Sequence, residues 1–123
     1  MAVMPRMYGQ EIAQQANAAP SSLRVTPDLG TLAIDNIMGG LWARCGLTGR
    51  ERSLVTLTIV MASRANSQIA EHIRVGMRNG LTQREIEEVI YQVGGYAGVP
   101  QAANAREVLI KVLDERRQKS EGR

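Results

Sequence analysis

The segment from Thr48 to Ser63 constrains the fold of this chain more than any other part of the sequence. It opens with Thr48 and Glu51 at the spacing of a capping box, in which each side chain satisfies the other residue's free backbone amide. Residues 54–62 follow with the sequence LVTLTIVMA, which is apolar nearly all round a helix. A strand is an alternative because several of these side chains are β-branched, but the cap and the length favour a helix. Such a helix has to be buried on every side, which predicts a homo-oligomer with this helix near an interface or central core.

Helical signals recur along the rest of the chain and predict about six helices in all. Thr26 is expected to be the N-cap and Pro27 the first residue of a helix that ends near Ala43. A second capping box joins Thr82 with Glu85. The remaining helices are expected at Met7–Asn17, at Gln68–Arg78 with a stop at Asn79-Gly80, at Gln83–Val93, and from Pro100 into a fraying tail. No repeat and no convincing strand remain, so the predicted fold class is all-α.

The length of 123 residues suits a single domain over residues 1–123, with residues 1–25 as an N-terminal extension and 116–123 as a polar tail. The chain is 44% apolar and 22% charged, which is globular composition. No apolar run approaches the roughly 20 residues of a membrane span, so no membrane association is expected. The first residues lack the pattern of a secretory leader. Together with the single cysteine, Cys45, this predicts a reducing, cytoplasmic location.

The charge and the rare residues exclude several classes of function. The formal net charge is +3, but many of the charges lie in a tail of mixed sign, and the chain has one Trp, three Tyr and no Phe. A nucleic-acid partner is therefore not expected. One cysteine and one histidine leave no C-x-x-C pair and no Cys/His metal site within one chain, so neither a metal nor another cofactor is predicted.

The residues that could perform chemistry are few. His72 is the only imidazole, and its ordinary pKa lies near neutrality, so it could donate or accept a proton. The alternative is a half-buried structural histidine. Arginines such as Arg52 and Arg74 suit carboxylate recognition by paired hydrogen bonds, and the alternative is a charged rim or inter-subunit salt bridges. A glycine-rich, hinge-like loop expected at Gly94–Pro100 brings Tyr96 and backbone amides beside a helix start, where they could bind an anion or simply connect two helices.

Five segments, in this order and spacing, carry a family resemblance: LWARCGL (41–47), RERSLVTL (50–57), EHIRVGMRNGLT (71–82), EIEEVI (85–90) and YAGVPQAANA (96–105). From roughly Ile34 to Leu113 the chain resembles the carboxymuconolactone decarboxylase family, which shares the alkylhydroperoxidase D-like helical fold. The resemblance implies that fold, and it implies a homotrimer or homohexamer.

The peroxidase branch of this fold uses a C-x-x-C pair a few residues before a histidine, with a glutamate upstream. In this sequence the histidine corresponds to His72, but the two cysteines correspond to Ala65 and Gln68 and the glutamate to Ser53. Without the dithiol a disulfide-linked peroxide reduction cannot run. The resemblance therefore points to the decarboxylase-like branch.

That branch implies a cofactor-free loss of carbon dioxide from γ-carboxymuconolactone, or from a related small carboxylic acid or lactone. The electrons of the departing carboxylate flow through the ring double bond to the lactone carbonyl, and a proton then reaches the carbon beside that carbonyl. The resemblance implies His72 as the catalytic proton donor or oxyanion partner, Arg52 and Arg74 as carboxylate anchors, and Tyr96 or nearby amides as assistants. The alternative is a non-catalytic small-molecule-binding or assembly protein of the same helical fold.

Overall fold

A computed structural model describes residues 25–122 of the chain, apart from the side chain of Met38. Within that range the protein is all-α, as predicted, with five α-helices, one π-helical segment and no strand. The elements are α1 (Leu29–Asn36), the π-helical segment (Ile37–Leu41), α2 (Gly49–Ala62), α3 (Asn66–Arg78), α4 (Gln83–Tyr96) and α5 (Val99–Glu121). The helix expected at Met7–Asn17 lies outside the described residues. None of the helices in residues 25–122 is long and apolar enough to cross a membrane.

The chain forms two compact units that divide after Gly46. In the first unit, α1 and the π-helical segment contact each other. The second unit contains α2 to α5, and the whole buried core of the described chain lies within it. The single domain expected over residues 1–123 stays a prediction.

The predicted start of α1 is wrong, whereas the helical run ends close to the predicted Ala43. The helix begins at Leu29 after Asp28, and Thr26 does not cap it, because the Thr26 hydroxyl donates to the Val25 carbonyl at 2.7 Å. The α-helical hydrogen bonding ends at Asn36, but the chain stays helical to Leu41 with π-helical hydrogen bonding over Ile37–Leu41. This segment contains the Gly39-Gly40 pair, and glycines weaken a regular α-helix.

Both predicted capping boxes are confirmed, and they begin α2 and α4. The Glu51 amide donates to Thr48 Oγ1 at 3.1 Å, and the Thr48 amide donates to Glu51 Oε1 at 2.8 Å. That second bond lowers the pKa of the Glu51 carboxyl. The box of Thr82 and Glu85 has the same two bonds at 3.1 and 2.9 Å. Residues 54–62 are therefore helical despite their β-branched side chains.

The core of the second unit forms where α2, α3, α4 and α5 meet. Its buried apolar side chains are Leu57, Met61, Ile69, Ile73, Leu81, Ile86, Val89, Ile90, Val93, Ala105, Leu109 and Val112. On α2 the buried residues Ser53, Leu57 and Met61 recur every four residues, so this helix buries one face. On its other face, Val55 is 50% and Ile59 is 61% exposed. The all-round burial expected for this helix is thus not achieved within the described chain, and the homo-oligomer stays a prediction.

The end of α3 confirms the predicted stop at Asn79-Gly80. Gly80 has a φ of 98°, in the left-handed region that favours glycine. The Leu81 amide donates to the Gly76 carbonyl at 2.9 Å, and the Gly80 amide donates to the Met77 carbonyl at 3.1 Å. These two bonds are the Schellman pattern that satisfies the last carbonyls of a helix.

The loop expected at Gly94–Pro100 is mostly helical in the structure, so that prediction is wrong in its extent. Helix α4 continues to Tyr96, and only Ala97 and Gly98 connect it to α5. Gly98 has a φ of 127°, which allows the chain to reverse within two residues. Helix α5 then runs to Glu121, so the polar tail is helical where fraying was expected.

Candidate functional site

His72 lies on the side of α3 that packs against α2. Residues 72, 76 and 79 fall on one face of a helix, because residues three and four apart are neighbours. At Gly76 a Cβ atom would lie 3.5 Å from Leu57 Cδ1 of α2, and Asn79 forms hydrogen bonds to α2. His72 itself is half-buried, and its Nδ1 atom is buried completely. The only imidazole of the chain therefore faces the interface between these two helices.

Burial changes the ionisation of His72. Desolvation lowers the pKa of the imidazole from its ordinary value of 6.5, and the carboxylate of Glu71 opposes this effect. Because desolvation is the larger influence, the ring is mainly neutral at pH 7. A neutral imidazole is a hydrogen-bond donor through one nitrogen and an acceptor through the other. Through its N–H group, the neutral ring can donate a hydrogen bond to an oxyanion that develops beside it.

Arg52 lies on α2, beside the point where α2 is joined to the end of α3. Asn79 Nδ2 donates to Ser53 Oγ at 3.0 Å and to the Gly49 carbonyl at 3.3 Å, and Ser53 is fully buried. Arg52 is partly buried, and its Nε atom is buried completely. The seven residues from Asn79 back to His72 span about 10 Å of helix axis. The Arg52 position therefore lies about two helical turns from His72 along the same pair of helices.

Arg74 faces away from this helix pair. It follows His72 by two residues, and residues two apart do not share a helix face. Its Nη2 atom lies 3.0 Å from Glu115 Oε2 of α5, and its Nη1 atom lies 3.9 Å from Glu71 Oε2. The structure thus places Arg74 in ion pairs on another side of α3, and its role as a carboxylate anchor stays a prediction.

Tyr96 is also separate from the α2–α3 interface. It ends α4, and its side chain is 88% exposed. Amides near Tyr96 were the alternative assistants of the reaction, and those of Ala97 and Gly98 both donate to the Val93 carbonyl, at 2.7 and 3.1 Å. Of the four predicted site residues, the structure thus places His72 on the α2 side of α3 and Arg52 on α2 itself, whereas Arg74 pairs with α5 and Tyr96 ends α4. The substrate-binding role of Tyr96 stays a prediction.

The described part of the chain offers little for metal or thiol chemistry. Within residues 25–122, no three His, Cys, Asp or Glu side chains are grouped so that they could hold a metal ion. Cys45 is an exposed free thiol. A groove between α4 and α5 is lined by none of the residues predicted for the site; its lining residues are Gln83, Glu87, Ile90, Tyr91, Arg106, Leu109, Ile110 and Leu113.

Two polar residues of the α2–α3 interface were not predicted as part of a site. Asn79 was interpreted only as part of a helix stop, and Ser53 only as the position of a missing glutamate. The four-residue spacing of Gly49, Ser53 and Leu57 is a signal that could have placed Ser53 on a buried helix face. The hydrogen bond from Asn79 could not have been found that way, because it joins residues 26 positions apart.

The fold and the helix pair that carries His72 define a small helical protein with one half-buried imidazole between two packed helices. Residues 27–111, about two-thirds of the chain, match the model of the Carboxymuconolactone decarboxylase family. The chain belongs to this family. The matched range contains α1 to α4 and most of α5, and it includes both His72 and Arg52.

Three relatives show how similar the chain is to known members. It is 32% identical over 83 residues to the nitrosuccinic acid decarboxylase npaB of Metarhizium robertsii, covering 68% of this chain and 58% of the relative. It is 39% identical over 67 residues to the 4-carboxymuconolactone decarboxylase of Acinetobacter baylyi, covering 54% and 49%. An uncharacterized 15.0 kDa protein of Paracoccus denitrificans is 28% identical over 115 residues, covering 87% and 86%. The matches thus span only about half of the length of the two relatives named as decarboxylases.

Proposed function

We propose that this protein is a decarboxylase of small carboxylic acids that carry a strong electron acceptor near the departing carboxylate. The observation that supports this proposal most is the position of His72. Its imidazole is half-buried on the α2 side of α3, and desolvation keeps its pKa below 6.5. It also lies within the range that matches the family. A neutral, partly desolvated imidazole is suited to stabilising an oxyanion that forms only as the reaction proceeds.

The names of two relatives suggest which substrates to consider. One relative is named for 4-carboxymuconolactone and the other for nitrosuccinic acid. Both compounds have a second carboxylate and a group that accepts an electron pair, a conjugated lactone carbonyl in one and a nitro group in the other. When the C–C bond to the departing carboxylate breaks, the electron pair passes to an oxygen of that acceptor group. We take this shared chemistry as the substrate class of the present protein.

The proposed reaction assigns a separate task to His72 and to Arg52. His72 donates a hydrogen bond to the acceptor oxygen while negative charge develops there. Arg52 binds the second carboxylate equally well in the substrate and in the transition state, and this contact orients the substrate. Once the C–C bond has broken, the negative charge on the acceptor group raises the pKa of the neighbouring imidazole, and His72 takes up a proton from solvent. After carbon dioxide has left, this proton is transferred to the carbon that carries the electron pair.

The experiment is a comparison of carbon dioxide release from 4-carboxymuconolactone and from nitrosuccinic acid, with a chelator and without added thiol. We expect turnover of at least one compound, and a loss of about 100-fold or more in kcat for His72→Gln. Arg52→Gln should mainly raise KM, because it removes binding that is shared by substrate and transition state. Arg106→Gln is the matched control: Arg106 lines the groove between α4 and α5, so removing the same charge there should change neither constant.

Two results would contradict the proposal. One is a well-folded protein that binds these acids without releasing carbon dioxide, which would support a non-catalytic binding protein of the same fold. The other is turnover that is equal in the wild type and in His72→Gln, which would keep the reaction but remove His72 from it.

A further inference from the structure

The amide side chain of Asn79, at the end of α3, forms hydrogen bonds to the start of α2. Asn79 donates through one nitrogen to two groups of α2, the Ser53 hydroxyl at 3.0 Å and the Gly49 carbonyl at 3.3 Å. Ser53 is the only fully buried polar side chain in the described core. A buried hydroxyl in an apolar interface costs stability unless it is hydrogen-bonded, and Asn79 supplies that bond.

Two glycines, Gly49 of α2 and Gly76 of α3, lie at this contact. A Cβ on Gly49 would lie 3.6 Å from Asn79 Cγ, in ordinary van der Waals contact. A Cβ on Gly76 would lie 2.9 Å from Leu81 Cδ1, so the end of the Leu81 side chain would have to move, and 3.5 Å from Leu57 Cδ1 of α2, in ordinary contact. Apolar contacts are less directional than hydrogen bonds, so they specify the register of two helices less strictly. The hydrogen bond between Asn79 and Ser53 has a single matching register.

We infer that Asn79 and Ser53 are a positioning pair, which fixes the register of α2 against α3 and therefore the place of Arg52 relative to His72. Arg52 precedes Ser53 directly, and His72 lies on the same face of α3 as Asn79, about 10 Å along the helix axis. A polar pair within an apolar helix interface is a known means of specifying register at some cost in stability. The inference rests on the proposed function, because it assigns to the pair the spacing of the two proposed site residues.

Because His72 is the only histidine, a proton NMR titration of the imidazole reports on this one site without any substrate. The variants are Asn79→Ala, and Ser53→Ala as a milder change that removes only a hydroxyl. The matched control is Asn104→Ala, which removes another bond between helices, from Asn104 Nδ2 to Asn66 Oδ1 at 2.6 Å, where α5 meets α3.

If the pair sets the packing around His72, both test variants admit water to the interface and move the pKa of His72 upward, toward 6.5. The double variant should move it no further than Asn79→Ala alone, because the two residues act through one bond. Asn104→Ala should leave the pKa unchanged even where it lowers the melting temperature. An unchanged pKa in folded Ser53→Ala and Asn79→Ala, or an equal shift in Asn104→Ala, would overturn the inference.

Kinetics then separate this inference from the proposed function. With an active wild type, Asn79→Ala should lower kcat/KM by about 10- to 100-fold, and should have much less effect in an Arg52→Gln background. A shifted imidazole pKa in a protein that releases no carbon dioxide would refute the proposed function and keep the positioning role. Full activity with an unshifted pKa in Asn79→Ala would refute the positioning role and keep the function.

Discussion

At the scale of single residues, the ionisation of His72 is decided by its place in the fold. The imidazole faces α2 and is half-buried, so removal from water outweighs the attraction of the neighbouring Glu71 carboxylate. The same residue on the exposed side of α3 would have the opposite balance, because Glu71 would then act without desolvation. The sequence alone therefore identifies His72 as the candidate catalytic residue, but it does not give the charge of His72 at neutral pH.

This burial predicts how stability depends on pH. Well above pH 6.5 the imidazole is neutral in both the folded and the unfolded chain. As the pH falls below 6.5, the unfolded chain takes up a proton that the folded chain still excludes, so the free energy of unfolding decreases. Urea unfolding between about pH 7.5 and about pH 5.5 should show this decrease in the wild type and a smaller one in His72→Gln. The same pH dependence in both proteins would mean that His72 is not desolvated.

What the sequence could predict at this scale follows from how local each interaction is. His72 stands out because it is the only imidazole, and Arg52 because its neighbours carry the family resemblance. The separation of Arg74 from His72 follows from helix geometry, since the two residues are two positions apart. The ion pair of Arg74 with Glu115 does not follow from helix geometry, because the two residues are 41 positions apart and meet only where α3 packs against α5.

At the scale of elements, the capping boxes were predictable because each is closed within four residues. Thr48 with Glu51 and Thr82 with Glu85 each form both hydrogen bonds. The end of α4 was not predictable from its glycines: Gly94 and Gly95 remain helical, and the turn occurs at Gly98, whose φ is positive. A Cβ on Gly94 would lie 3.3 Å from Ala102 Cβ of α5, so this glycine allows two helices to approach.

The second capping box gives a prediction about stability. Thr82→Ala removes the acceptor for the Glu85 amide and should lower the free energy of unfolding by about 1 kcal/mol. Glu85 also forms an ion pair with Arg50 of α2, so the substitution should weaken the contact between α2 and α4 as well. Thr58→Ala is the matched control, because Thr58 Oγ1 donates only to the Leu54 carbonyl within its own helix. Urea unfolding that shows an equal loss in both variants would contradict this account of the cap.

At the scale of the whole molecule, α2 is the element with an exposed apolar face that a second chain could cover. It buries Ser53, Leu57 and Met61 on one face. On its other face, Val55 is about half exposed and Ile59 is more than half exposed. Neighbouring exposed apolar side chains on one helix face are typical of an interaction surface. The homotrimer or homohexamer predicted from the sequence would cover this face.

This predicted assembly can be tested with one charged substitution. Ile59→Glu places a carboxylate in the expected interface and should reduce the molar mass in solution to that of one chain, as measured by light scattering after size exclusion. Tyr91→Glu, an exposed aromatic on α4, is the matched control and should leave the mass unchanged. A wild type of single-chain mass, or an assembly that withstands Ile59→Glu, would show that this face of α2 does not hold the chains together.

The central claim is that His72 acts in the loss of carbon dioxide from a small carboxylic acid. The most direct measurement is the release of labelled carbon dioxide from carboxyl-labelled 4-carboxymuconolactone and nitrosuccinic acid, by wild type and His72→Gln in parallel. We predict that the wild type releases the label from at least one of these acids, and that His72→Gln, folded to the same helical content, releases it about 100-fold more slowly or not at all. Release at equal rates by both proteins, or by neither, would contradict the claim.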